Sequence, residues 1–149
     1  EEVNRAGAGE GGLHFGWPCM EGTRVNRTTP PCVDDPVNAF PGSTLPLFEY
    51  PHVGGAAVTG GYVYRGPVQR LQGSYWFADN VTARVYSAQP LAGGGWQVRE
   101  RFLGMLITGF GEDWDGHLYA GNFLHGTLLR LTSEAIFDDG FEPGATAPE

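Results

Sequence analysis

Tyr75-Trp-Phe-Ala-Asp-Asn-Val-Thr-Ala-Arg-Val-Tyr-Ser-Ala88 has a counterpart 43 residues later, Leu118-Tyr-Ala-Gly-Asn-Phe-Leu-His-Gly-Thr-Leu-Leu-Arg-Leu131. Each copy holds an apolar run, a polar turn centre (Asp79, Asn122), a small residue (Ala83, Gly126) and a second apolar run. Runs of aromatic and β-branched residues bounded by turn formers are strand signals. A period of about 40–50 residues holding four short strands marks a β-propeller blade, whose faces are buried only by its neighbours.

Working outward from this pair, four strand-like segments are expected to form one antiparallel sheet, near 58–65, 74–79, 83–89 and 96–102. Segments near 106–112, 117–123 and 126–132 are expected to form a second sheet beside it. Period-two alternation should divide Tyr62, Tyr64, Trp76 and Tyr86 between the faces. Gly93-Gly-Gly95 reads as the hairpin turn between two of these strands, since no helix follows it to make a phosphate cradle. The expected fold class is all-β: about two propeller blades of four-stranded antiparallel sheets. Residues 1–57 read as the loop-rich end of an earlier blade with the Cys19–Cys32 loop. Residues 58–104 read as a full blade, 105–133 as a partial last blade and 134–149 as a tail. Closure takes about four blades or more, so the chain is expected to be a piece of a larger propeller.

Composition narrows the function classes. The 149 residues include 24 Gly and 11 Pro, but aromatic residues at 13 % argue against a disordered chain. The net charge is −8, with nine Arg and no Lys. Such a surface repels phosphate backbones and anionic lipid, so no nucleic-acid and no membrane partner is expected. Without Lys there is no Schiff-base chemistry. Cys19 and Cys32 flank one polar loop with no further ligand at metal spacing. A disulfide and an oxidising compartment are the preferred reading, and two unpaired cytosolic thiols the alternative.

Several strings occur in order: Glu1-Glu-Val-Asn4, Gly12-Leu-His-Phe-Gly-Trp-Pro-Cys-Met-Glu-Gly22, Thr59-Gly-Gly-Tyr-Val-Tyr-Arg-Gly66, Gly73-Ser-Tyr-Trp-Phe-Ala-Asp79, Ala83-Arg-Val-Tyr86 and Gly109-Phe-Gly-Glu-Asp-Trp-Asp-Gly-His-Leu-Tyr119. This set resembles the glucose/sorbosone dehydrogenase family, soluble quinoprotein sugar dehydrogenases, and among them the hedgehog-interacting-protein-like members. The likeness runs to about residue 133. It implies a six-bladed propeller, pyrroloquinoline quinone (PQQ) and calcium as cofactors of the whole protein, and a sugar or other small-molecule substrate. It also implies a secreted or periplasmic location, and the remaining blades as the chain's partners.

The family's catalytic histidine and calcium loop would precede Glu1. Its lysine near the turn Asp79-Asn-Val-Thr82 and its arginine clamp, where this chain has Gly104-Met-Leu-Ile-Thr-Gly-Phe110, are absent here. Arg99 and Arg101 copy the clamp's spacing but fall along a strand. The chain alone is therefore expected to be inactive, its catalytic residues unknown and its metal ligands none. Residues expected to line a cofactor or ligand rim are Asp79, Asn80, Asn122 and His125, on loops between second and third strands, and His52, ahead of the Val58 strand. Glu2 and Asn4 follow the segment that would carry the calcium loop. Asp and Asn also suit turn geometry in their own right. Glu112-Asp-Trp-Asp-Gly116 lacks the ligand spacing of a calcium loop and reads as an acidic β-turn. Two function classes stand side by side: the C-terminal part of an exported PQQ-dependent sugar dehydrogenase-like oxidoreductase, and a non-catalytic extracellular propeller that binds a carbohydrate or a protein.

Overall fold

A computed structural model describes residues 1–27, 32, 42–53 and 56–132. The chain divides into two compact units, Glu1–His52 and a second beginning at Val53. The described structure is all-β, with one short 3-10 turn at Gln69–Leu71. None of its helices is long and apolar enough to cross a membrane.

The first unit is short of regular structure, as its Gly- and Pro-rich sequence requires. It holds four two-residue strands: β1 (Glu2–Val3), β2 (Met20–Glu21), β3 (Arg24–Val25) and β4 (Phe48–Glu49). β1 pairs with β4, and β2 with β3, both antiparallel. Cys19 and Cys32 are bonded, with Cα atoms 5.4 Å apart, inside the usual disulfide range of about 4.4–6.8 Å. With Met20 they make a small buried cluster against which Val25 packs.

The second unit contains the repeat. β5 (Val58–Val63), β6 (Tyr75–Asp79), β7 (Arg84–Pro90) and β8 (Trp96–Phe102) form a four-stranded antiparallel meander in chain order. β9 (Ile107–Glu112), β10 (Leu118–Asn122) and β11 (Thr127–Arg130) form a three-stranded meander. Both sheets are blade-like, and the expected strands are all present, trimmed by a residue or two at most ends.

The small residues of the repeat explain themselves. Ala83 at φ 56° and Gly126 at φ 61° occupy the same left-handed position where each turn re-enters a strand. A β-branched or bulky side chain would be strongly disfavoured there. Gly94 and Gly95, also at positive φ, close the β7–β8 hairpin. Gly61 sits in a β5 bulge, where a Cβ would lie 1.9 Å from the Trp76 carbonyl oxygen.

Alternation then assigns the faces. Trp76, Ala78 and Val85 meet Ile107, Leu118, Ala120, Leu129 and Leu131 of the second sheet, with Tyr64 and Leu71, in one buried cluster. On the opposite face Phe77 stacks on Tyr86 with ring centroids 4.9 Å apart, and both are buried. Burial, with Glu100 beside it, pushes the Tyr86 phenol up to about 12. The four aromatics expected to divide do so: Trp76 and Tyr64 join the inter-sheet cluster, and Tyr86 faces the other way. Tyr62 pairs across from Trp76 but remains 39 % exposed. Two buried faces on one sheet is what a propeller blade requires.

Candidate functional site

One end of the second unit gathers the loops that carried four of the sequence candidates, while Glu2, Asn4 and His52 belong to the first unit. The β6–β7 and β10–β11 turns and the segments entering β5 and β9 all meet there. Asn80 N–H donates to the Ala57 carbonyl at 3.0 Å, Leu103 N–H to Ala83 at 3.0 Å, and Phe123 N–H to Leu106 at 2.8 Å. The Asn80 amide donates to the Ile107 carbonyl at 3.2 Å, tying the first sheet's turn to the second sheet's first strand. Asp79, Asn80, Asn122 and His125 thus share one end of the two sheets.

Their roles differ. Asp79 is fully buried, and its carboxylate accepts the Thr82 N–H at 2.6 Å and the Ala57 N–H at 3.0 Å. Asn122 is also buried, its Oδ1 accepting the Leu124 N–H at 3.2 Å and its amide reaching Thr127 Oγ1 at 3.5 Å. Both side chains build turns, the office for which Asp and Asn suit such positions. Asn80 is half-buried and His125 exposed. The surface around them is apolar: Val81 is 49 % exposed, Leu124 55 % and Phe123 72 %. Sequence reasoning passed over these three. Their signal was an apolar residue inside each turn, where polar ones are the rule.

A test of the turn-building role follows. Asp79→Ala takes the carboxylate acceptor from two part-buried N–H groups, those of Thr82 and Ala57, at up to about 1–3 kcal/mol each. Asp79→Asn keeps one carbonyl acceptor and is expected to lose less. Urea unfolding should order them wild type, Asn, Ala; an Ala variant as stable as wild type would remove the structural role.

The first unit holds a cleft of about 230 Å³ lined by Glu1, Glu21, Arg24, Glu49, Tyr50 and His52, among others. His52 Nε2 lies 4.0 Å from Glu1 Oε1. Glu2 accepts the Gly22 N–H at 2.5 Å through one oxygen and the Asn4 amide at 2.8 Å through the other. Glu49 accepts the Thr23 N–H at 2.6 Å and the Thr23 hydroxyl. Glu2 and Glu49 therefore pin the β2–β3 turn to the β1–β4 pair.

A third cluster was not anticipated. The acidic turn at Asp113–Gly116 forms as expected, with Gly116 N–H donating to the Asp113 carbonyl at 3.1 Å. Asp113 also gathers the His117 N–H at 2.9 Å, the His117 ring Nδ1 at 3.1 Å and the Tyr119 hydroxyl at 2.9 Å. Desolvation works to raise the Asp113 carboxyl, but the hydrogen bonds from His117 and Tyr119 outweigh it and hold the group below the usual carboxylate value. The sequence signal was period two: residues 117 and 119 both follow the turn and, two apart, project to the same side.

Quinone carboxylates need cationic or other charge-assisted donors. Arg84, which opens β7 just after the β6–β7 turn, donates to Glu100 at 2.5 Å and to the Thr82 carbonyl at 3.4 Å. The buried oxygens that could face calcium, those of Asp79 and Asn122, accept backbone N–H groups instead. These residues do not fit PQQ or calcium. Among the described residues no group of three or more His, Cys, Asp or Glu is placed to hold a metal ion. No protein-family model matches the chain, and no solved structure matches it at a significant level.

Proposed function

We propose that the chain supplies two sheets of a larger exported β-propeller, similar in architecture to the sugar dehydrogenases, and that its loop end binds a carbohydrate and carries out no oxidation. The observation that carries this reading is the pairing, at that end, of exposed apolar tips with two polar side chains. Val81, Phe123 and Leu124 are exposed, and Asn80 and His125 lie in the same two turns. Sugar rings offer apolar C–H faces and hydroxyls, and sites that combine apolar walls with a few placed polar groups suit them. The disulfide supports the exported location, since such bonds persist in oxidising compartments.

The second reading, the C-terminal part of a PQQ-dependent sugar (aldose) dehydrogenase-like oxidoreductase, keeps the same framework and places base, calcium and quinone on other parts of the protein. Saturation-transfer NMR with a panel of aldoses and oligosaccharides separates the two. Binding is expected for at least one sugar and should fall about tenfold or more in Phe123→Ala, as for loss of a central aromatic contact. No binding at millimolar sugar, or binding indifferent to Phe123, would sink the loop-end site. Dye reduction by this chain with glucose, PQQ and calcium would show that it oxidises sugar, against the binding-only reading.

A further inference from the structure

The repeat gives every face of the three-stranded sheet a counterpart in the four-stranded one. Shifted by 43 residues, Trp76, Ala78 and Val85 fall on Tyr119, Gly121 and Leu128. The registers agree, for Ala78 lies opposite Val85 as Gly121 lies opposite Leu128. In the four-stranded sheet this face is closed: Trp76 is 1 % exposed and packs on the next sheet's Ile107, Leu118 and Ala120. In the three-stranded sheet it is open, with Leu128 65 % exposed. A Cβ built on Gly109 or Gly111 meets nothing within 4 Å, whereas one on Gly61 comes within 3.2 Å of Phe110. The face is a trough of about 430 Å³, with Gly109, Gly111 and Gly121 along it and Tyr119 and Leu128 beside them. Next to it, among the described residues, the outer edge of β11 has no partner strand, whereas β7 pairs with β8 over seven residues.

We propose that this edge and face receive the next repeat of a larger propeller. One strand, in the place of β8, completes the sheet on β11, and the sheet that follows lays an aliphatic layer like Ile107, Leu118 and Ala120 on Tyr119, Gly121 and Leu128. A second copy of this chain fits less well, because its own layer of that kind is already buried against the first sheet. Shape supports the assignment, since a glycine floor lets a neighbouring sheet approach closely, as small residues do wherever backbones pack tightly. The inference rests on the reading of the chain as part of a propeller and is independent of what the loop end binds.

The test inserts one period: a second copy of residues 89–131 placed directly after Leu131, the counterpart of Ala88, in the full chain. Cys19 and Cys32 are bonded to each other and are the only cysteines, so Leu128→Cys introduces a single reactive thiol. Maleimide labelling of Leu128→Cys should be fast in the parent chain and about tenfold or more slower in the inserted one, since a buried thiol reacts only when the structure opens. Val85→Cys, buried in the repeat, should be slow in both. Leu128→Cys labelling at the parent rate in the inserted chain overturns the proposal, whether Val85→Cys stays protected or becomes exposed. Concentration-dependent protection of Leu128→Cys in the parent chain, abolished when Gly109→Arg is added on the same open face, overturns it in favour of a second copy. Sugar titration of the same proteins reads the loop end separately, so a docking failure leaves the ligand reading standing and a lost ligand site leaves docking standing.

Discussion

Replacing Trp76 with alanine is expected to cost about 3–5 kcal/mol of unfolding free energy, the usual range for a large aromatic removed from a core. Trp76 is 1 % exposed and lies in the cluster shared by both sheets of the second unit. Its indole N–H donates to Ser74 Oγ at 2.8 Å, and Ser74 Oγ in turn donates to the Leu71 carbonyl. Truncation therefore opens a cavity between the sheets and removes the indole donor from the buried Ser74 hydroxyl, which keeps its own bond to the Leu71 carbonyl. The cavity can close only if the sheets approach, and the Asn80 amide and Thr59 hydroxyl, both donating to Ile107 O at 3.2 Å, hold their spacing at the loop end. Tyr62→Ala, directly across the ladder from Trp76, is expected to cost well below half as much, because Tyr62 is 39 % exposed. Denaturant titration of both variants checks the contrast. Equal losses would mean that Tyr62, on the same face, is packed into the core as fully as Trp76.

Why the second unit was legible and the first was not follows from the same residues. The Tyr75–Ala88 string carries its structure locally: alternation sets the faces, Asp79 caps the turn and Ala83 takes the left-handed position. Its counterpart at Leu118–Leu131 repeats each element, so two weak signals reinforce one another. Glu1–His52 has strands of only two residues, too short for any periodicity to register. They are set by contacts distant in sequence, such as the Glu2 carboxylate on Gly22 N–H and Glu49 on Thr23.

The candidate site was legible only in part, for a related reason. Turn positions announce Asp79, Asn80, Asn122 and His125, but polarity in a turn does not say whether a side chain faces backbone or solvent. Burial decides it: Asp79 and Asn122 are buried with their oxygens on N–H groups, Asn80 is half-buried with its amide on the Ile107 carbonyl, and His125 is exposed. The Asp113–His117–Tyr119 cluster needed the hairpin register before its three members could be placed together.

Removing the Cys19–Cys32 bond is expected to cost the first unit about 3 kcal/mol, the chain-entropy value for a closed loop of this length. The two cysteines are 13 residues apart and are themselves the bulk of the only buried cluster described in that unit, with Met20. A double Cys→Ser variant loses the cross-link and also leaves two hydroxyls where Cys19 and Cys32 are now buried. What is left to order the segment is a few backbone bonds, such as Met20 N–H to the Gly16 carbonyl at 2.9 Å and Asn26 N–H to the Cys19 carbonyl at 2.7 Å, and the Glu2 and Glu49 carboxylates on Gly22 and Thr23. Two-residue ladders cannot offset the entropy of ordering such a loop, which runs at about 1–2 kcal/mol per residue. Amide hydrogen exchange reads the result residue by residue. Protection at Met20 and Asn26 should fall about a hundredfold, as 1.4 kcal/mol is a factor of ten, while the ladder amides of Trp76 and Ala78 keep theirs. Met20 and Asn26 protected as before in the double Ser variant would mean that the first unit is held by something other than its disulfide.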